Sequence, residues 1–250
     1  DGSFIATQSN APPWSFGLTA TSDQLPILKI TTSGYFLNLK GQNLAGCILT
    51  DMRHCTLDQA TLSGIDTLAG ANFTNASLKK AILSGLDLAK AAEWTGADFT
   101  DTDLTTLSNT AGARMPGTIF NGATLGKVSY AAANLAGAHF QPSGNGVKAN
   151  LNGTIFSGAD LTGADLTDAL LVGTDFRGAI LQGTIFNGCD LTQALFDDKP
   201  NFTRATTGRT TFQGATVPFN ILNDKWAYLD LTLAAIVDIP AGISNLMADN

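Results

Sequence analysis

Basic and metal-ligating side chains are scarce in this 250-residue chain. Fourteen Lys and Arg stand against 21 Asp and Glu, a formal charge of −7. Direct binding of nucleic acid needs the opposite balance, because phosphate contacts come from Lys and Arg. There are two His and three Cys. His54 adjoins Cys55 and His139 stands alone, and neither has a partner at C-x-x-C or H-x-x-x-H spacing, so the sequence offers no zinc site. The odd cysteine count and the lack of a secretory signal argue against a disulfide framework and favour a reducing, cytoplasmic setting. No apolar run approaches the ~18 residues of a membrane span. G-x-S-x-G, G-x-G-x-x-G and phosphate-loop motifs are absent, and Gly144-Asn145-Gly146 reads as a turn. No catalytic residue, cofactor or metal is therefore assigned. The first residue is Asp1 rather than Met, which leaves open whether the chain is a processed product or a piece of a longer one.

What the chain has instead is a period of five. Residues 149–198 divide into ten units: ANLNG, TIFSG, ADLTG, ADLTD, ALLVG, TDFRG, AILQG, TIFNG, CDLTQ, ALFDD. The centres are Leu151, Phe156, Leu161, Leu166, Leu171, Phe176, Leu181, Phe186, Leu191 and Phe196, and two residues before each stands Ala, Thr or Cys. Five matches neither the helical period of 3.6 nor the strand period of 2. It fits a chain that bends once per unit, so that every centre points at one axis. Gly ends seven of the ten units, where a bend with φ > 0 is needed. The centres then fill an interior in layers, the small residue also points inward, and the positions flanking the centre face water.

These residues resemble the pentapeptide-repeat family, whose motif is A(D/N)LXX. ADLTG at 159–163 and ADLTD at 164–168 match it fully, and ANFTN at 71–75, ADFTD at 97–101 and ANLAG at 133–137 closely. The resemblance implies an all-β fold: a right-handed quadrilateral β-helix, a pentapeptide-repeat solenoid with four pentads per coil and non-repeat terminal caps. Backwards from 149 the frame continues through centres Phe140, Leu135, Tyr130, Leu125, Phe120, Met115, Leu104, Phe99, Trp94, Leu88, Leu83, Leu78, Phe73, Leu68, Leu62, Leu57, Leu49, Leu44 and Leu39. Most slips, including 104 to 115 and 140 to 151, equal whole pentads plus one residue and read as local bulges. The slip from Leu49 to Leu57 adds three, which predicts a small outward loop at Asp51–His54. The frame runs forward to Val217, giving a rod of nine or ten coils, roughly 45 Å long at the usual strand spacing. The expected organisation is a capping segment at 1–36, one solenoid at 37–217, and a capping or dimerisation segment at 218–250. Caps are expected because a solenoid exposes its core at both ends. The resemblance points to 218–250 as the part through which some relatives form homodimers.

Cys47, Cys55 and Cys189 all fall at the inward small position and read as core thiols. Asp98, Asp101 and Asp103 cluster, yet lack the Gly and Glu of a calcium loop. Residues 149–198 hold seven Asp against one Arg, which is −6 of the total −7. Asp160, Asp165, Asp168, Asp175 and Asp190 form the candidate interaction surface. Units twenty residues apart stack on one face, which groups Asn150, Leu170 and Asp190; Ile155, Asp175 and Leu195; Asp160 and Ile180; Asp165 and Ile185. Acid alternates with aliphatic, and no face is an unbroken acidic column. Two functions follow. One is a non-enzymatic scaffold or binding module that presents an acidic and apolar rod to a protein partner of unknown identity. The other rests on the resemblance: some relatives protect topoisomerases from quinolones, and an acidic rod imitating DNA would bind gyrase.

Overall fold

The computed structural model describes residues 29–31, 37–65, 68–197, 210–211, 216–218, 229–230 and 235–237. The described residues between 37 and 197 form a solenoid of short parallel rungs, with one 3-10 turn at Leu88–Lys90 as the only helical element among them. The rungs stack in four columns, and each column is a face. The first face runs Asn38, Thr56, Ser77, Asp98, Ile119, His139, Asp165, Ile185. The second carries Asn43, Thr61 and Ile82, then Asp103, Thr124, Asn150, Leu170 and Asp190. The third carries Asp87 and Asn109, then Ser129, Ile155, Asp175 and Leu195. The fourth carries Asp51, Asn72 and Glu93, then Arg114, Asn134, Asp160 and Ile180. The four groups expected from twenty-residue stacking lie on these four faces as the pentad frame requires.

The residue after each paired position is the core centre. Every centre from Leu39 to Leu191 is buried, while Phe196, at the end of the continuous described stretch, is partly buried. The axis holds a ladder of aromatic rings: Phe73 stacks on Trp94 at 4.2 Å, Phe99 on Phe120 at 5.5 Å and Phe120 on Phe140 at 5.0 Å. Each unit then turns. In ADLTG the Ala164 N–H donates to the Leu161 carbonyl at 2.9 Å, and Gly163 between them has φ +66°. A four-residue turn with positive φ at its third residue is the mark of type II, which explains the recurring glycine.

Thr at the inward small position adds a second bond to this scheme. Thr184 Oγ1 donates to the Leu161 carbonyl at 2.9 Å, and Thr174 Oγ1 to the Leu151 carbonyl at 2.9 Å. Thr154, Thr118 and Thr102 repeat the contact with Leu125, Trp94 and Leu78. The Leu161 carbonyl thus accepts from Ala164 N within its own coil and from Thr184 one coil on, so both lone pairs are used. Cys189 takes the same place with Sγ 2.9 Å from the Leu166 carbonyl. All three cysteines are buried free thiols, as read from the frame.

Three features of the register differ from expectation. Asp51–His54 is not an outward loop: Asp51 pairs with Asn72, and Met52 is a fully buried centre. The coil there is short by two residues rather than long by three, with Leu49 and Met52 as successive centres. The interval 104–115 contains another centre, buried Thr110, behind the paired residue Asn109. The interval 140–151 is one step between the first and second faces, eleven residues where five are usual, so the loop at 141–149 contains a six-residue insertion rather than a pentad with a bulge. It closes on itself through the Ser143 N–H to the Val147 carbonyl and the Gly146 N–H to the Ser143 carbonyl, both 2.8 Å.

Parallel pairing extends beyond the continuous stretch. β1 (Lys29–Thr31) pairs with β2 (Ile48–Asp51), β3 (Thr210–Thr211) with β5 (Leu229–Asp230), and β4 (Thr216–Pro218) with β6 (Ala235–Val237). Each pair begins at an offset of 19 residues, about one coil. Most of 1–36 and 218–250, and the centres expected at Phe202, Thr207 and Phe212, lie outside the described residues. Among the described residues no helix is long and apolar enough to cross a membrane.

Candidate interaction surface

The Asp or Asn of each motif is positioned by its turn. Its side chain projects beside the centre and accepts the backbone N–H two residues on. Thr162 N donates to Asp160 Oδ1, Thr167 N to Asp165 Oδ1 and Thr192 N to Asp190 Oδ1, each at 2.9 Å. Asn38, Asn43, Asn72, Asn109, Asn134 and Asn150 do the same without a charge. The repeat therefore asks for a short side-chain oxygen at this position, an Asx turn, and not for a negative charge.

The five candidate carboxylates do not meet. Asp160 lies on the fourth face, Asp165 on the first, Asp175 on the third and Asp190 on the second. Asp168 sits at a turn corner with φ +59°, its carboxylate 3.7 Å from Lys148 Nζ. Asp175 is nearly buried and held by Arg177, with Nε–Oδ1 2.9 Å and Nη2–Oδ2 2.7 Å. This fork keeps the Asp175 carboxyl below the usual aspartate range and raises Arg177. Further along the rod, Asp51 pairs with Arg53, Asp98 with Lys79, Asp101 with Lys80 and Glu93 with Arg114. Asp160, Asp165 and Asp190 have no cation within 4 Å among the described residues.

Half of the ten units break the Asx rule. Ile155, Leu170, Ile180, Ile185 and Leu195 stand where Asp or Asn would cap the turn. Ile155 and Leu170 are 37% exposed, Ile180 39% and Leu195 46%. Ile155 and Leu195 flank the Asp175–Arg177 pair on the third face, and Leu170 lies between Asn150 and Asp190 on the second. Among the described residues, Ile82 at 52% is the one other paired position with a large aliphatic side chain this exposed. The sequence showed the alternation of Asp with Ile and Leu, but not that the Asp is occupied by its own backbone while the aliphatic side chain is left over.

Among the described residues no group of His, Cys, Asp and Glu could hold a metal ion. Asp98, Asp101 and Asp103 are separated by their turns: Asp98 caps Thr100, Asp103 caps Thr105 on the next face, and Asp101 reaches back to Lys80. The thiols are poor nucleophiles, because burial pushes Cys55 up to about 11 and Cys189 up to about 12. His139 stands exposed on the first face and His54 in a turn at φ +59° beside buried Cys55.

The sequence matches the family model for pentapeptide repeats in 8 copies, at residues 67–91, 147–183 and 155–198. A search of curated proteins gave no match. Among solved structures, HetL, a pentapeptide repeat protein involved in heterocyst differentiation regulation in the cyanobacterium Nostoc, is 23% identical over 80% of this chain and 82% of its own, with a TM-score of 0.32. Full-length QnrB1, a plasmid-mediated fluoroquinolone resistance protein, is 18% identical over 85% and 96%, with a TM-score of 0.46. A pentapeptide repeat protein of the Arabidopsis thaliana thylakoid lumen is 30% identical over 52% and 69%, with a TM-score of 0.16. With the repeat motif, the turn that closes each unit and the stacked four-sided coil in agreement, the chain belongs to the pentapeptide-repeat family.

Proposed function

We propose that this chain is a non-enzymatic binding rod that engages a protein partner through the aliphatic side chains of its 149–198 half. The observation that carries the proposal is the broken motif: Ile155, Leu170, Ile180, Ile185 and Leu195 give up a turn cap, and all of them but the half-buried Ile185 stand exposed in water. Places where a sequence departs from its own structural rule are where function is expected, and apolar surface rimmed by polar groups suits a protein interface. Asp160, Asp165 and Asp190 form its polar surround, and Asp168 and Asp175 contribute less because each faces a cation. In this reading the coil is right-handed, as parallel crossovers nearly always are. Residues 1–36 and 218–250 cap the solenoid of 37–217, and 218–250 is the segment through which two copies would associate.

The alternative is a DNA-mimicking partner of gyrase that confers quinolone protection. Its support is the acidic surplus of 149–198, and QnrB1 is a fluoroquinolone resistance protein of similar repeat type. Against it stand the alternation of acid with aliphatic on every face and the pairing of Asp168 and Asp175 with cations.

Substitution to Asn separates the two, since Asn restores the motif and protects the fold. Cross-linking capture from the source cells is compared for the intact chain, for an Ile155→Asn, Leu170→Asn, Ile180→Asn, Leu195→Asn variant, and for an Asp160→Asn, Asp165→Asn, Asp190→Asn variant. Loss of the captured protein in the aliphatic variant alone is expected. Retention there together with loss in the Asp variant overturns the proposal in favour of charge recognition.

A further inference from the structure

We infer that Asn145 is a site of spontaneous covalent modification, a deamidation that adds charge to the one long loop of the described rod. The loop at 141–149 stands outside the rung pattern of the coil, and Gly144, Asn145, Gly146, Val147 and Lys148 are all exposed. Asn145 makes no hydrogen bond among the described residues and is followed by Gly146 at φ +76°. Glycine leaves the next backbone nitrogen unshielded by a side chain, and the Gly146 N–H is held only by a turn bond to the Ser143 carbonyl at 2.8 Å.

The chain carries its own controls. Asn121-Gly122 and Asn152-Gly153 have the same dipeptide in the regular coil. There the glycine N–H is a rung bond: Gly122 N to the Gln141 carbonyl at 3.1 Å and Gly153 N to the Val172 carbonyl at 2.9 Å. The asparagine carbonyls are engaged as well, Asn121 Oδ1 by Gln141 N at 3.0 Å and Asn152 Oδ1 by Val172 N at 2.9 Å. Reaction at either needs coils to separate, whereas reaction at Asn145 needs one exposed turn to open. Asn187-Gly188 lies in the last continuously described coil and is not ranked.

The chemistry needs only water. The Gly146 nitrogen loses its proton to solvent and attacks Asn145 Cγ. The N–Cγ bond forms, the Cγ–Nδ2 bond breaks, and Nδ2 takes up a proton and leaves as ammonia. Water then adds to either carbonyl of the five-membered succinimide. Opening at Cγ gives Asp, and opening at the main-chain carbonyl gives the β-linked isoaspartyl form. Nothing is oxidised or reduced. The new carboxylate lies three residues from Lys148, which already faces Asp168 at 3.7 Å, and would compete for that ammonium.

The test is a time course on the intact chain in mildly alkaline buffer, followed by proteolysis and mass spectrometry of the three peptides that carry Asn121, Asn145 and Asn152. A denatured sample serves as reference, in which all three should convert at similar rates. In the native chain Asn145 is expected to convert at least about tenfold faster than Asn121 or Asn152, with isoaspartate present, and Asn145→Gln should abolish the fast conversion. Equal or faster conversion at Asn121 or Asn152 overturns the inference. So does a native Asn145 that stays intact while the denatured sample converts.

Discussion

Replacing Phe176 by Ala should cost about 4 to 5 kcal/mol, near the upper end for a buried aromatic residue. The side chain is 1% exposed and meets three rings. It stacks on Phe156 at 5.6 Å and on Phe196 at 5.2 Å, both with planes 17° apart, and meets Phe186 edge-on at 5.5 Å. Each ring pair adds about 0.5–1.5 kcal/mol beyond area burial. The neighbours sit in rigid turns, so the cavity has little room to collapse. Because each coil of a solenoid contacts only its neighbours, the loss should appear locally. Coils from Leu171 onward should exchange their amides faster and melt first, while those below Phe120 keep their protection. Denaturant unfolding with hydrogen exchange resolves both effects. Ile180→Ala, on the surface of the same coil, should stay within about 0.5 kcal/mol. If Phe176→Ala changes stability by less than about 1 kcal/mol, or all coils lose protection equally, the layered-core reasoning fails.

Further outcomes follow from the same geometry. A methyl on Gly122 would lie 2.6 Å from Asp101 Oδ1 and 2.8 Å from Ser143 Cβ, at a backbone φ of +67°. Gly122→Ala should therefore destabilise by about 2 kcal/mol or more, and Asp101→Gly should recover part of it in a double-mutant cycle measured by thermal melts. Thr184→Val keeps the shape of the core but deletes the bond to Leu161, at an expected cost of about 1 kcal/mol in denaturant unfolding. The depressed Asp175 carboxyl contributes stability that is complete above the ordinary aspartate value of about 3.9 and is lost as pH falls through its lower folded value. Acid unfolding of Asp175→Asn should therefore lack part of the drop that the intact chain shows below about pH 4. Thiol reagents should modify Cys55 and Cys189 only when the rod unfolds, and rapid labelling of the native chain would contradict their burial.

The core was legible because its signal is redundant. A run of ten centres fixes the register, and each centre is hydrophobic for one reason, the axis it faces. Single-residue slips such as 62 to 68 and 88 to 94 were legible because a buried centre resumes directly after each, whereas the six residues added at 141–149 imitate a further pentad. Met52 went unrecognised because its coil is two residues short, and a missing residue shifts the frame as an insertion does. Thr110 was hidden because a polar residue at a centre breaks the Leu/Phe pattern, although its hydroxyl donates to the Ser129 carbonyl. The surface misled for a different reason. Asp160, Asp165 and Asp190 count as charge in a sum, yet each spends an oxygen on its own turn. Asn72, Asn134 and Asn150 at the equivalent place carried the clue, since a position that takes Asp and Asn alike selects an oxygen. The exposed aliphatic residues are the part that the turn does not explain.

A supercoiling assay with purified DNA gyrase, with and without a quinolone, tests the binding-rod account most directly. With the intact chain titrated to micromolar levels, supercoiling and its inhibition by the drug should both be unchanged. Relief of quinolone inhibition, or binding to gyrase that DNA competes away, would show that the acidic surface acts as a DNA mimic and would contradict recognition through Ile155, Leu170, Ile180 and Leu195.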